Sequence, residues 1–139
     1  MTVKTTVNYK DDYEYEGVNA SNNKVSIDMY DRDDKKALSP TEMLLTSVAA
    51  CAMVDIALML KKRRKTVIDF KADTSGERKE EHPRAFTDIH VKFIVTSPDV
   101  NEEELRKIID LSVDKYCSVA ATLKGGTNLT HSFEIKKPV

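Results

Sequence analysis

The stretch that decides the fold runs Ser39-Pro40-Thr41-Glu42-Met43-Leu44-Leu45-Thr46-Ser47-Val48-Ala49-Ala50-Cys51-Ala52-Met53-Val54-Asp55-Ile56-Ala57-Leu58-Met59-Leu60. Its first residues have the chemistry of a helix N-terminus. Ser39 is placed as the N-cap, Pro40 stands where a missing N–H costs nothing, and Glu42 lies where its carboxylate can reach back to the Ser39 N–H. From Met43 to Leu60 the residues are apolar on nearly every side, over the 18-residue length that raises the question of a membrane span. Asp55, Thr46, Ser47 and the alanines argue against a span. The reading is a buried central helix. One small domain has too little surface to cover such a helix on all faces, so a homodimer is expected in which a partner covers part of it. Lys61-Lys62-Arg63-Arg64-Lys65 ends the helix, where positive charge complements the negative helix terminus.

On the N-terminal side, Val3, Thr5, Val7 and Tyr9 alternate, Tyr13-Glu14-Tyr15-Glu16 keeps the same period, and Val25, Ile27 and Met29 resume it after Asn19-Ala20-Ser21-Asn22-Asn23. These segments predict a three-stranded antiparallel meander, with Asp31–Lys36 as a solvated loop. On the C-terminal side, Thr66–Asp73 reads as a strand, Gly76–Arg84 as a charged connection and Phe86–Thr96 as a second strand. Asn101, followed by Glu102, Glu103 and Glu104, caps a second helix. Leu105, Ile108, Ile109, Ser112, Tyr116, Val119, Ala120 and Leu123 recur at helical spacing as far as Gly125-Gly126, with Tyr116 read as core packing. Leu129, His131, Phe133 and Ile135 alternate in a last strand. The order βββ-α-ββ-α-β predicts an α+β fold, with antiparallel sheets packed on two long helices in a single domain over residues 1–139.

The chain carries 22 Lys and Arg against 23 Asp and Glu, a formal net charge of -1, which gives no electrostatic reason to expect nucleic acid or an anionic membrane as partner. Met1-Thr2-Val3-Lys4-Thr5 lacks the apolar core of a signal peptide, so a cytoplasmic location is expected. In a reducing compartment the two cysteines, Cys51 and Cys117, are either small buried hydrophobes or reactive thiols. Both fall inside predicted helices, and two helical thiols can meet where helices pack. Cys51 lies too deep in its helix to draw much from the helix dipole. His82, His90 and His131 show no ligand spacing, and His90 and His131 are read as solvent-facing or edge residues. No metal or cofactor is expected.

Ser39-Pro40-Thr41-Glu42-Met43-Leu44 followed by Ala49-Ala50-Cys51, Gly76–His90 in the middle of the chain, and Lys115-Tyr116-Cys117-Ser118-Val119-Ala120 together resemble the OsmC/Ohr family of peroxide-handling proteins over nearly the whole chain. The resemblance implies an intertwined homodimer and thiol peroxidase chemistry on organic hydroperoxides held in an apolar pocket. Cys51 would be the attacking thiolate, Cys117 the resolving thiol, and an external dithiol the reductant. Two family features are displaced. The family glutamate directly follows the proline, where Thr41 stands here. Glu42, one residue later, falls about 180° around a regular helix from Cys51, so it is read as helix cap or as catalytic residue. The family arginine lies in the first hairpin, where this chain has Lys10-Asp11-Asp12. Arg78 is the first substitute for it, Arg84 the second and Arg32 the third, and Asp55 is a residue able to orient such an arginine. The rival expectations are a non-catalytic protein binding an apolar ligand at the dimer interface and, last, a redox sensor.

Overall fold

The computed structural model describes residues 1–139, which form two compact units, Met1–Leu44 and Leu45–Val139. In the first unit, β1 (Thr5–Asp11), β2 (Glu14–Asn19) and β3 (Lys24–Asp28) make the expected antiparallel sheet in the order β1-β2-β3. Asn19 closes the second hairpin, its Oδ1 accepting the N–H groups of Ser21 at 3.0 Å and Asn23 at 2.9 Å. Val7 and Tyr9 remain 61% and 65% exposed, so this sheet does not bury β1 by itself.

The polar loop after β3 is organised around Asp28, only 1% exposed. One carboxylate oxygen accepts the Lys35 ammonium at 2.9 Å, and the other accepts the N–H groups of Lys36 and Ala37 at 2.8 Å each. Burial alone would raise this carboxyl. The Lys35 hydrogen bond and charge, with the two backbone donors, outweigh it and hold the group below the usual carboxylate range.

The helix start is a complete capping box. The Ser39 N–H donates to Glu42 Oε1 at 2.9 Å, and the Glu42 N–H donates to Ser39 Oγ at 3.3 Å. From there α1 (Pro40–Lys62) runs through the expected apolar stretch. It is long and apolar enough to cross a membrane by length and composition. Its buried residues, Val48, Ala49, Ala52, Ile56 and Leu60, instead form one stripe of a core helix.

The second unit's sheet has the order β4-β5-β6, from β4 (Asp69–Arg78), β5 (Phe86–Thr96) and β6 (Asn128–Lys136). Central β5 turns Ile89, Val91, Phe93 and Val95 inward at 5% exposure or less. Its two neighbours differ. β4 pairs antiparallel, but β6 pairs parallel, Ile89 opposite Leu129 and Val95 opposite Ile135, so this sheet is mixed rather than antiparallel. A parallel neighbour needs a long crossover, which the helical segment between β5 and β6 supplies.

Two expected boundaries move. The strand predicted over Thr66–Asp73 begins instead at Asp69 and continues to Arg78 through the predicted connection. Before Asp69, the Thr66 N–H donates to Asp99 Oδ1 at 2.9 Å, so the turn at Ser97-Pro98-Asp99 holds this segment by side-chain bonds. Within β4, a Cβ on Gly76 would lie 2.5 Å from the Phe86 ring, so glycine lets that ring cross the strand. The second long helix is three pieces: α2 (Glu102–Leu111), a π-helical turn (Ser112–Tyr116) and α3 (Ser118–Leu123). Asn101 caps α2 as predicted, its Oδ1 accepting the Glu104 N–H at 2.8 Å.

Asp28→Asn is expected to lower the melting temperature at neutral pH. A carboxyl depressed by folding contributes stability above its unfolded-state pKa, and that contribution is lost as pH falls through the folded value. The gap to wild type should therefore narrow from about pH 5 to about pH 3 in calorimetry. A gap that is constant across that window would remove the carboxylate charge from the explanation.

Candidate thiol site

The second unit brings the two cysteines together. Cys51 lies mid-way along α1, part-exposed, whereas Cys117 is 2% exposed and caps α3. The Cys117 Sγ accepts the Ala120 N–H at 3.4 Å, and its S–H points at the Val48 carbonyl oxygen at 3.9 Å. Val48 lies one residue short of a turn before Cys51, so this contact seats Cys117 on the stretch of α1 that carries the other thiol. The two thiols are close enough to influence each other electrostatically, and neither is in a disulfide. Burial pushes the Cys117 thiol above its ordinary range, and the neighbouring Cys51 pushes in the same direction, against the Ala120 N–H. Cys117 is thus held as a protonated thiol at neutral pH.

Beside Cys117 is a cavity of about 10 Å³, lined among others by Val48, Ala52, Phe93, Ala120 and His131. That is the space of one water molecule, far below the several hundred Å³ that a drug-sized ligand occupies. A molecule that reaches the pair must therefore come to Cys51 from the open side of α1. On that side Val54 and Leu58 are 59% and 58% exposed. An open groove of about 710 Å³ lies further along the helix, lined by Asp55, Leu58, Met59, Lys61, Lys62, Leu111 and Tyr116.

The other predicted residues have different occupations. The Glu42 carboxylate is engaged by the Ser39 N–H and hydroxyl and lies 3.7 Å from Lys35, interactions that hold it below the usual range for glutamate. Arg78, at the end of β4, donates from Nε to the Arg84 carbonyl at 2.8 Å, with its guanidinium 6.0 Å from the Phe86 ring centre. Arg84 in turn donates to the Glu80 carbonyl at 3.3 Å. Both arginines therefore brace the β4–β5 connection.

His90 keeps its predicted outward place, its ring nitrogens 2.7 Å from Thr130 Oγ1 and 2.9 Å from Ser132 Oγ. His131 lies on β6, an edge strand as expected, but on the inward face with Leu129 and Phe133, 3.4 Å from Asp110 and lining the small cavity beside Cys117. Tyr116, expected in the core, is 52% exposed, because the π-helical turn carries it outward. Ser112 is the site residue that sequence reasoning missed. It is 0% exposed and donates through Oγ to the Ala52 carbonyl at 2.9 Å. A small polar residue in the inward series Leu105-Ile108-Ile109-Ser112 was its only signal.

The sequence pattern of the OsmC-like protein family matches residues 32–132. Protein YhfA of Escherichia coli is 40% identical over 119 residues, covering 86% of this chain and 87% of that protein. A crystal structure of a hypothetical protein from Aquifex aeolicus superposes with a TM-score of 0.87 at 30% identity, covering 100% of this chain and 99% of that one. The organic hydroperoxide resistance protein OhrB of Bacillus subtilis shares the fold at a TM-score of 0.65 and 14% identity, over 96% of this chain and 98% of its own.

The raised Cys117 thiol predicts how disulfide formation depends on pH. With the Cys51 sulfenic acid formed beforehand, closure to the disulfide should speed up about tenfold per unit from about pH 7 through about pH 9. It should still be rising at about pH 9, where an ordinary thiol levels off. Stopped-flow mass spectrometry of the two species checks this, and a rate that levels off between about pH 8 and about pH 9 would contradict it.

Proposed function

Because the chain belongs to the OsmC-like protein family, a family linked to stress and hydroperoxide resistance, we propose that it is a thiol peroxidase for organic hydroperoxides, with Cys51 as attacker and Cys117 as resolver. The observation that carries the reading is the asymmetry of the pair. Two cysteines distant in sequence are neighbours, the one on α1 part-exposed and the one on α3 buried. An incoming hydroperoxide meets Cys51 first.

The Cys51 thiolate attacks the outer oxygen of the O–O bond. That bond breaks, the alcohol leaves with a proton, and Cys51 becomes a sulfenic acid. Cys117 then attacks the Cys51 sulfur through its own, and hydroxide leaves and takes up the Cys117 proton as water. The resulting disulfide has given two electrons to the peroxide. An external dithiol restores both thiols by exchange, so the balance closes on sulfur chemistry alone.

The exposed apolar face of α1 supports a second element of the proposal, an intertwined homodimer. Val54, Leu58, Leu111 and Tyr116 are large apolar side chains left exposed, three of them around the open groove beside α1. A second copy laid along α1 buries them. Leu58→Glu is expected to shift the protein toward monomer in light scattering, and an unchanged dimer would move the contact elsewhere.

A specific observation favours a rival. Glu42 is engaged in the capping box and the Arg78 guanidinium braces the β4–β5 connection, structural occupations that call for no activating role at Cys51. A ligand-binding protein with the same thiols and no turnover fits those facts. Stoichiometric cumene hydroperoxide separates the two. The peroxidase should lose both thiols and an equivalent amount of peroxide within seconds to minutes. Cys51→Ser should slow this by about a hundredfold or more, while Cys117→Ser should stop at the sulfenic acid. Intact thiols after an hour would leave the ligand-binding reading.

A further inference from the structure

Resting on the thiol-pair reading above, we infer that Ser112 is the residue that positions Cys117 for attack on Cys51. A serine with no exposure is costly unless its hydroxyl is bonded, so its single bond fixes its place. That bond, at 2.9 Å, goes to the carbonyl of Ala52, the residue after Cys51. At the other end of the π-helical turn, the Cys117 S–H points at the Val48 carbonyl. Val48 and Ala52 are one helical turn apart on α1, with Cys51 between them. The turn is therefore fastened at both ends to the carbonyl row that brackets the attacking thiol.

Between these two fastenings, the Cys117 N–H donates to the Ser112 carbonyl at 2.8 Å, a bond that spans five residues instead of four. This bond decides which side chain succeeds Ser112 on the inward face. In a continuous α-helix the neighbours of Ser112 on its own face are Lys115 and Tyr116. One extra residue in the turn rotates the segment beyond it by about 100°, which puts Tyr116 in solvent and Cys117 inside. Ser112 anchors the residue from which that rotation starts. Its hydroxyl touches neither sulfur, so it acts on the reaction only through where Cys117 is held.

The test reads the disulfide equilibrium and needs no peroxide. Diamide takes two electrons and two protons from the thiol pair, reducing its N=N bond to a hydrazine, and the disulfide formed is then equilibrated against a dithiothreitol buffer. Ser112→Ala should lower the effective concentration of Cys117 toward Cys51 about tenfold, the scale of one lost buried hydrogen bond. Ser112→Thr, which keeps the hydroxyl, should recover most of it. The rate at which iodoacetamide alkylates Cys51 in a Cys117→Ser background should not change with Ser112→Ala, whereas general loosening of the fold would move it. Wild-type equilibrium in Ser112→Ala overturns the inference. If that variant does not fold, amide exchange in the wild-type protein decides instead. The Cys117 N–H should stay protected in both the reduced and the diamide-oxidised states, and its loss on oxidation would mean that the turn does not hold Cys117 in place. Because no hydroperoxide is used, failure here is distinct from failure of the peroxidase reading.

Discussion

The carbonyl row of α1 is the feature on which the rest of the second unit depends. In an isolated helix each of these oxygens accepts one bond from the turn above, which leaves a lone pair turned outward. Ser112 and Cys117 use that spare capacity at Ala52 and Val48. The helical crossover from β5 to β6, whose Leu105, Ile108 and Ile109 are each 0% exposed, is thereby held against α1 by polar contacts. Apolar packing is tolerant of sliding, since one methylene contact resembles the next. A directed bond to a particular carbonyl is not, and this gives the crossover its register along α1.

The same row explains why two thiols at similar depth in sequence-predicted helices have such different surroundings. Cys51 is a side chain on the helix that supplies the acceptors, part-open to the face bearing Val54 and Leu58. Cys117 belongs to the segment that docks on it, and docking removes it from water. Burial then stabilises the neutral thiol over the thiolate, an effect the backbone N–H groups of Ala120 and Val119 do not reverse.

The legible parts of the sequence were those set by local chemistry. Ser39, Pro40 and Glu42 specified the helix start because a capping box is made by residues three apart. The strand Phe86–Thr96 was read to the residue because its alternation is unbroken from Ile89 to Val95. The two cysteines were singled out as helical thiols that could meet, and the roles proposed for them came only with the family resemblance. What escaped depends on distant partners. The parallel pairing of β6 is fixed by the crossover, and alternation is the same in either direction. The start of β4 moved because Asp99, far along the chain, captures the Thr66 N–H. His131 was read as an edge or solvent-facing residue, and its edge strand was legible, but its place beside Asp110 was not, since that partner comes from another element. The π-helical turn was invisible for a related reason: apolar spacing on both sides of Ser112 suits a continuous helix, and it is the bond from the Cys117 N–H to the Ser112 carbonyl that shows where the extra residue enters.

A buried, protonated resolving thiol would be a poor choice if its rate were set by its acidity alone. Each unit by which its pKa is raised removes about nine-tenths of the thiolate at a given pH, a tenfold loss. Orientation acts on a larger scale. Groups held in contact and correctly aligned reach effective concentrations of roughly 10⁵ M or more, against the millimolar range of thiols in solution. Set against that scale, the thiolate lost to burial leaves Cys117, in the proposed cycle, ahead of any external thiol in the competition for a Cys51 sulfenic acid. In the proposed cycle, burial also keeps Cys117 from meeting the oxidant directly, so that the sulfenic acid would form on the cysteine that has a partner waiting. Geometry therefore outweighs acidity at this site. The chain's interest in holding Cys117 firmly against α1 exceeds any gain from making it a stronger nucleophile.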